Sequence, residues 1–420
     1  MKHTILTLAF LLVLIPSVRS QALTLQTCID SAMVNYPLSR QQDVYAMKTE
    51  TELLTIRNSN LPQIDLTGRA TYQNEVIELP LTIPGMDIPE ISKDQYKIQL
   101  EINQALYKGG LTKAQKSLAN IDNQINNKQT EVELNKVKAE VVRIYYGILL
   151  DDELEKVSRT YHNTLQSKLG EMETMIENGV ILPSSADVIR AEMLSIEQKI
   201  TGFQIRKQYL LKRLSLYTGI KTGGNTTFEL PQQTIDPSAS QQRPEYELMS
   251  LNIQKLEAMK SLTKAQSRPK AFAFSTLGYG RPGFNYLSND FTTYAIVGAG
   301  LSWSLWNWNK YSNQRKILDF SGQAIKISQQ SFETSLNEKL LELKAEIETQ
   351  KSMLKKAEEI AELRKRVSET SARQMKNGTI TSSRYIDELQ KYKKALLDIE
   401  IYKIRLSIAE TNYLWALGKL

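Results

Sequence analysis

Four short segments of the chain alternate apolar and polar residues with the period of two that a β-strand requires. They lie at about 63–76, 94–107, 270–280 and 293–306. In the first segment, Ile64 and Leu66 share one face, and Asp65 lies on the other. The third segment alternates less regularly, because Phe272 and Phe274 fall on the face where polar residues are expected. The pattern predicts four strands with one apolar and one polar face.

Two very long segments, 110–177 and 309–376, keep a helical period of apolar residues without a proline. Each predicts a helix of about 68 residues, or roughly 100 Å at the usual rise per residue. An Asn-Gly pair ends each one, as a C-terminal glycine does in many helices. A globular core cannot stabilise helices of this length, so we expect them to pair as coiled coils. Their other faces mix Lys and Glu, as solvated faces do.

The chain reads as two copies of one unit. Asn178 and Asn377, which begin the two Asn-Gly pairs, are 199 positions apart, and so are Gly219 and Gly418. Each copy predicts the order helix, strand, strand, long helix, helix, with opening helices at 24–60 and 242–267. The first repeat covers 21–220, a linker rich in Gly, Pro, Ser and Gln covers 221–242, and the second repeat covers 243–420. The predicted fold class is mostly α with a small β part.

Residues 1–20 have the pattern of a secretory signal peptide, with Lys2 before an apolar run that is too short to span a membrane. Once this segment is removed, Cys28 and His162 are the only Cys and His. A disulfide within the chain and a His/Cys metal site are thereby excluded, and a catalytic triad has one candidate base. We therefore expect no enzyme activity, no metal and no cofactor. We expect Cys28 to be buried in a helix and His162 to be solvated.

The net charge of +7 is spread among nearly as many acids as bases, which does not indicate nucleic-acid binding. Amphipathic strands of about ten residues are instead typical of a transmembrane barrel. A half-buried soluble sheet shows the same alternation, but no other segment of this chain is suited to cover the apolar face. Aromatic residues near the strand ends match the interfacial belts of such barrels: Tyr107, Tyr279, Tyr294, Trp303, Trp306 and Trp308.

Four strands cannot close a barrel, and open strand edges are not tolerated in lipid, so several chains must pool their strands. Two chains would give eight strands and a filled interior, and three chains would give twelve with room for a lumen.

Several motifs resemble the TolC-like outer-membrane efflux family over essentially the whole mature chain. They are LTLQTCIDSAMVNYPLS at the start, RPEYEL in the second repeat, LYKGG after a strand, and the paired NGxI turns. The resemblance implies a homotrimer whose twelve-stranded β-barrel lies in outer-membrane lipid and continues as a long α-helical coiled-coil barrel, a tunnel in the periplasm. It also implies a periplasmic adaptor (membrane fusion protein) and an inner-membrane transporter as partners. The implied function is the exit channel of a tripartite efflux or type I secretion system.

The resemblance also implies roles for particular residues. In this family the helical-hairpin tips dock the adaptor and close the tunnel; the corresponding residues here are Gly179, Val180, Ile181, Leu182, Gly378, Thr379, Ile380 and Thr381. The best-known member has two aspartates, three residues apart, that constrict the pore. These positions fall on Arg384 and Asp387, so only one acid is kept, and Arg384 at i−3 is placed to pair with it.

An exported structural or adhesive coiled-coil protein without a transport lumen is the alternative. It accounts for the long helices, but it explains neither the alternating strands nor the duplication of the strand pair.

Overall fold

A computed structural model of the chain describes residues 22–76, 91–179, 181–224, 226–235, 240–286 and 288–420. The predicted signal peptide and Val180 lie outside these described residues. The described chain forms two compact units. The first, called the helical unit, consists of residues 22–39, 133–242 and 336–420, and the second, called the sheet unit, consists of 40–132 and 243–335.

The predicted fold class is confirmed, because helix, strand, strand, long helix, helix occurs twice. The first copy contains α1 Leu25–Asn35, α2 Gln41–Asn58, β1 Gln63–Tyr72, β2 Asp94–Tyr107, α3 Leu111–Glu177 and α4 Ser184–Thr218. The second contains α5 Pro244–Gln266, β3 Lys270–Arg281, β4 Thr292–Ser302, α6 Lys310–Lys376 and α7 Ser382–Leu417. The long helices α3 and α6 each have 67 residues. No helix in the described part of the chain is long and apolar enough to cross a membrane.

The opening helix of the first copy is not continuous, although the sequence pattern predicted one helix over 24–60. Helix α1 ends at Asn35, a 3₁₀ turn covers Pro37–Arg40, and α2 begins at Gln41. Pro37 lacks a backbone N–H and disfavours a helical conformation in the residue before it. Tyr36 accordingly adopts an extended conformation, with φ −66° and ψ 132°. The proline therefore breaks the helix where periodicity alone shows no interruption.

The four strands of the sheet unit form one antiparallel sheet in the order β1-β2-β3-β4. Its register places the apolar faces of the strands side by side, as in the row Ile64, Ile102, Ser275 and Val297. Strands β1 and β4 each have a single neighbour among the described residues, so the sheet has two open edges. Strand β4 ends at Ser302. Residues 303–306 therefore lie outside it, although the sequence pattern predicted a strand to about 306.

The opposite face of the sheet explains the irregular alternation of β3. Phe272 is paired with Gly300, and Phe274 with Gly298, on the adjacent strand β4. A Cβ atom at Gly300 or Gly298 would come within 2.5 or 2.6 Å of the facing phenylalanine ring. The two rings therefore occupy the space that the glycines leave free, and this cross-strand packing fixes aromatic side chains on an otherwise polar face.

A hydrophobic core in the helical unit holds α1 against α3 and α4, and it contains Cys28, Ile29, Val141, Ile144, Ile148 and Leu214. Cys28 is fully buried, as expected, and burial raises the pKa of its thiol to about 12. The segment predicted as a linker also joins this core. The Tyr145 hydroxyl donates to carbonyl oxygens of Leu23 and Glu229, and the Tyr145 ring packs edge-on against Phe228.

A buried hydroxyl network connects α3 with α7. The Tyr146 hydroxyl lies 2.7 Å from Ser407 Oγ and 2.7 Å from Thr411 Oγ1. Replacing Tyr146 by Phe leaves these buried groups short of a partner, and we expect the free energy of unfolding to fall by about 1–3 kcal/mol. Thermal unfolding, together with hydrogen exchange of α7 amides, measures the loss. Tyr209→Phe, at an exposed tyrosine of α4, is the control, and equal behaviour of the two variants would contradict the prediction.

Candidate functional site

Two helical-hairpin tips lie in the helical unit, between α3 and α4 and between α6 and α7. Each begins with a glycine that adopts the left-handed conformation favoured by glycine at helix ends, Gly179 with φ 72° and Gly378 with φ 68°. A Cβ atom at either glycine would meet no neighbouring atom within 4 Å, so the backbone conformation alone requires glycine there. The equal geometry of the tips is a structural sign of the duplication.

The structure brings the two tips onto one hydrophobic cluster. Ile181 and Ile380, at equivalent positions of the tips, both pack against one cluster, whose buried members come from α3, α4, α6 and α7: Tyr161, Leu165, Met172, Ile189, Ile196, Ile200, Met375, Tyr385, Ile386 and Leu389. Leu182 is exposed. Of these predicted docking residues, the two isoleucines therefore hold the hairpins together, and Leu182 is accessible to a partner.

Local hydrogen bonds order the second tip. The Thr379 N–H donates to the Gln374 carbonyl at 2.9 Å. The Thr381 side chain caps α7 by accepting a hydrogen bond from the Arg384 N–H at 3.3 Å. A threonine at this position satisfies one of the free N–H groups at the start of the helix.

Asp387 and Arg384, the predicted constriction pair, do not pair with each other. Lys391 Nζ lies 2.7 Å from Asp387 Oδ2, and the hydrogen bond from Lys391 lowers the pKa of Asp387. The Arg384 guanidinium instead lies 3.5 Å from Glu388 Oε1, one helical turn further on. The predicted i−3 pairing is therefore corrected: both acids are paired at i,i+4 spacing, which brings side chains onto the same helix face.

Glu388 is an acid near the second tip for which the sequence alone predicts no role. It is 6% exposed, and besides Arg384 it has Lys391 Nζ at 3.0 Å and Arg364 Nη1 of α6 at 3.4 Å. Three cations around one buried carboxylate compensate for its loss of hydration. The i,i+4 spacing of Arg384 and Glu388 was visible in the sequence, whereas the contact with Arg364 requires the packing of α6 on α7.

His162 is not freely solvated, contrary to expectation. Its Nε2 lies 2.9 Å from Glu197 Oε1, so the imidazole links α3 with α4, and the side chain is half-buried. Nothing in the local sequence indicates this contact, because the two residues lie on different helices. Among the described residues, no group of three or more His, Cys, Asp and Glu side chains could hold a metal ion.

In the sheet unit, aromatic side chains gather at the end of the sheet where β2 and β4 finish. Tyr107 pairs with Ala271 of β3, on the apolar face. Trp303 directly follows β4, and its indole N–H donates a hydrogen bond to the Ser267 carbonyl at 3.1 Å. The chain leaves the sheet at this contact. Trp306 and Trp308 pack edge to face at 5.7 Å, and both are largely exposed. These four aromatic residues are here called the first belt.

A second group of aromatics lies at the opposite end of the sheet: Tyr72, Tyr96, Tyr279 and Phe291, here called the second belt. Tyr279 stacks on Phe291 at 5.6 Å, and Tyr96 lies 6.4 Å from the same ring. From the sequence only Tyr279 of this group is predicted at an interface, since the others are recognised by the register of the strands. Tyr279 follows Ala271 by eight positions of β3, or about 27 Å along the strand. At the usual strand tilt of about 40° this corresponds to a height of about 21 Å, somewhat less than the roughly 25 Å apolar band of membrane barrels.

Tyr294 belongs to neither belt, although its position near a strand end suggested an interfacial role. The register places it opposite Gly278, and a Cβ atom at this glycine would come within 2.1 Å of the tyrosine ring. Its hydroxyl accepts a hydrogen bond from Gln99 Nε2 at 2.8 Å. Tyr294 therefore lies on the polar face, on the side of Phe272 and Phe274.

The fold of the chain is similar to that of several solved outer-membrane proteins. The crystal structure of the Campylobacter jejuni CmeC outer membrane channel is similar with a TM-score of 0.68 and 14% identity, over 94% of this chain and 85% of that one. The outer membrane protein VceC of Vibrio cholerae gives 0.71 and 12%, over 94% and 96%. The open state of the Neisseria gonorrhoeae MtrE outer membrane channel gives 0.66 and 12%, over 94% and 88%.

No protein-family model matches the sequence, and no curated protein does. At 12–14% identity, the likeness to the solved channels concerns the fold. The fold predicted for one chain is thereby confirmed.

Proposed function

We propose that this chain is one protomer of an outer-membrane exit channel. In this proposal three copies pool their strands into a twelve-stranded barrel in outer-membrane lipid, and their long helices form a tunnel in the periplasm. The chain has no catalytic role in it. Substrates pass from an inner-membrane transporter through the tunnel to the exterior, as in tripartite efflux or type I secretion.

The observation that carries this proposal is the exposed apolar face of the sheet. It extends across all four strands, as in the rows through Ile64 and Leu66, with an aromatic belt at each end. Exposed apolar surface of this extent needs a cover, and lipid covers it without any further protein segment. The two open edges of the sheet need strand partners, which other copies of the chain supply.

The hairpin tips support the proposed partners. Ile181 and Ile380, one in each tip, pack against the same hydrophobic cluster at the end of the two hairpins, and Leu182 is exposed. We propose that this end contacts the periplasmic adaptor, and that Asp387 lines the narrow mouth of the tunnel. With Asp387 held ionised by Lys391, three copies would place three carboxylates around the axis.

An exported structural coiled-coil protein would need no lipid around its sheet. Fractionation separates the two candidates, because the channel requires detergent for extraction from outer membranes, whereas the structural protein is released by salt or urea. The purified protein should also form ion-conducting pores in planar bilayers. Release without detergent, or the absence of pores from the folded protein, would refute the channel.

Replacing Asp387 by Ala is expected to lower the cation preference of these pores. Its charge is exposed and already paired with Lys391, so we expect a mild effect of about two- to threefold in the permeability ratio. Arg384→Ala is expected to act in the opposite direction, because Glu388 then loses one of its cations. Single-channel recordings at two salt concentrations measure both effects. Asp398→Ala, further along α7, is the control, and unaltered selectivity in all three variants would place the constriction elsewhere.

A further inference from the structure

The helical unit contains a cavity that the proposed channel function does not use. It lies between α3, α6 and α7 and has a volume of about 460 Å³. Apolar side chains supply much of its wall, among them Val157, Ala372, Leu389, Leu396 and Ile399. A volume of this size, with apolar walls, is in the range of small-molecule binding sites.

A buried lysine lines this cavity. Lys393 of α7 is 7% exposed, and its ammonium lies 4.6 Å from the centre of the Tyr161 ring. In the described part of the chain it has no hydrogen bond and no ion pair. Lysine is almost never buried without a partner, because an ammonium loses its hydration there. The aromatic ring compensates in part through a cation–π interaction.

A second polar group at the same place also lacks a partner. The Tyr161 hydroxyl is buried and makes no hydrogen bond within the described residues. The Glu192 carboxylate of α4 accepts a hydrogen bond from Gln390 at 2.8 Å instead. Burial raises the pKa of the Tyr161 hydroxyl, and the nearby Glu192 carboxylate raises it further.

The charges around Lys393 do not neutralise it. Burial, reinforced by the charge of Lys199 on α4, lowers the pKa of Lys393 to about 8, and Glu192 acts in the opposite direction. The other charged residues that line the cavity are of both signs: Glu153, Lys156, Lys365, Glu369 and Glu400. Lys156 lies 3.5 Å from Glu153, and Glu400 lies 3.0 Å from Lys403. Lys393 is therefore a largely buried lysine whose ammonium lines the cavity without an ion pair, with the Glu192 carboxylate as the counter-charge that acts on it from nearby.

We propose that this cavity binds an amphipathic organic anion, whose carboxylate accepts hydrogen bonds from Lys393 Nζ and the Tyr161 hydroxyl. The apolar body of the ligand then packs against the walls formed by α3, α6 and α7. The ligand carboxylate thereby becomes a hydrogen-bond partner for both Lys393 and Tyr161, and the apolar part of the ligand fills the cavity. It rests on the helical unit alone, and it holds whether or not the chain forms a channel.

Binding of 2-naphthoate to the full chain in lipid nanodiscs tests the proposal, with 2-naphthalenemethanol as the uncharged analogue and empty nanodiscs as the blank. Titration calorimetry should give one site per chain, with the carboxylate bound about 10- to 100-fold more tightly than the alcohol, as a charge-assisted hydrogen bond allows. The preference should disappear as the pH rises from 7 to 9.5, because Lys393 loses its proton.

The variant Lys393→Met retains the apolar stem and removes the buried charge. It should bind the carboxylate about 10- to 100-fold more weakly and the alcohol as well as the parent does. Lys394→Met, at the exposed neighbouring lysine, should behave like the parent. Acetylation of Lys393 by acetic anhydride, followed by mass spectrometry, should be slowed by 2-naphthoate, which locates the ligand. Equal affinity for the two compounds, no saturable binding, or unchanged binding by Lys393→Met would overturn the proposal.

Discussion

Lysine in place of Ile64 should prevent stable accumulation of the protein in the outer membrane. Ile64 is 63% exposed on the apolar face of β1. Its row passes through Ser275, which is four residues of β3 from Ala271 and four from Tyr279, so it lies midway between the two belts. A lysine on the lipid face at the bilayer midplane costs about 2–4 kcal/mol, and three copies would add to about 6–12 kcal/mol.

Thr67→Lys is the matched control, because Thr67 lies on the same strand and its side chain is also exposed to solvent in the single chain, but it belongs to the polar face. Its lysine would point to the aqueous side of the sheet, and we expect a near-parental level of protein in the membrane fraction. Quantitative immunoblots of outer membranes, with the soluble and aggregated fractions beside them, measure the difference. Equal levels of the two variants would show that the apolar face does not meet lipid.

Cysteines at the two open edges of the sheet should cross-link into covalent trimers and no larger species. Ile64→Cys in β1, combined in turn with Ala295→Cys, Val297→Cys or Ala299→Cys in β4, covers neighbouring registers on one face. If the edges of different chains pair, one combination forms disulfides between chains under mild oxidation. Denaturing gels should show one, two and three linked chains, and full reaction should convert all of them to the trimer.

The native cysteine does not interfere with this experiment. Cys28 is fully buried, and its raised pKa keeps it protonated and unreactive at neutral pH. Each single-cysteine variant is the control and should stay monomeric on denaturing gels. Products that stop at two chains would indicate an eight-stranded barrel, and a ladder beyond three chains would indicate an open assembly.

The order of elements and the faces of the strands could be predicted because both depend on local patterns. A period of two or of 3.6 is present in any short window of sequence, and the repeated Asn-Gly pairs show where the long helices end. The irregular faces of Phe272 and Phe274 could only be noted, since the glycines that accept their rings lie on another strand. Likewise, a proline such as Pro37 is known to interrupt helices, but the helical spacing of apolar residues on both sides of it favoured one continuous helix.

The candidate site was less accessible to sequence reasoning, because its contacts join distant parts of the chain. The Glu388 carboxylate forms an ion pair with Arg364 of α6, and the Lys393 ammonium lies over the ring of Tyr161 in the first repeat. Neither contact leaves a trace in the periodicity of α7, where both residues read as ordinary charges of a solvated face. The packing of α3 against α6 and α7 makes them buried.

The pairing of β2 with β3 makes the sheet a late product of folding. Asn103 faces Phe274 in this central pair, about 170 residues further along the chain, and pairing across such a distance is slow. Before β3 pairs with it, the first hairpin has an unpaired edge on β2 as well as an apolar face, with Ile64 and Ile98, that is open to water. Nascent chains of this type are prone to aggregate. We therefore expect the chain to aggregate most readily before β3 pairs with β2, and truncations that end before residue 270 should be the most aggregation-prone forms.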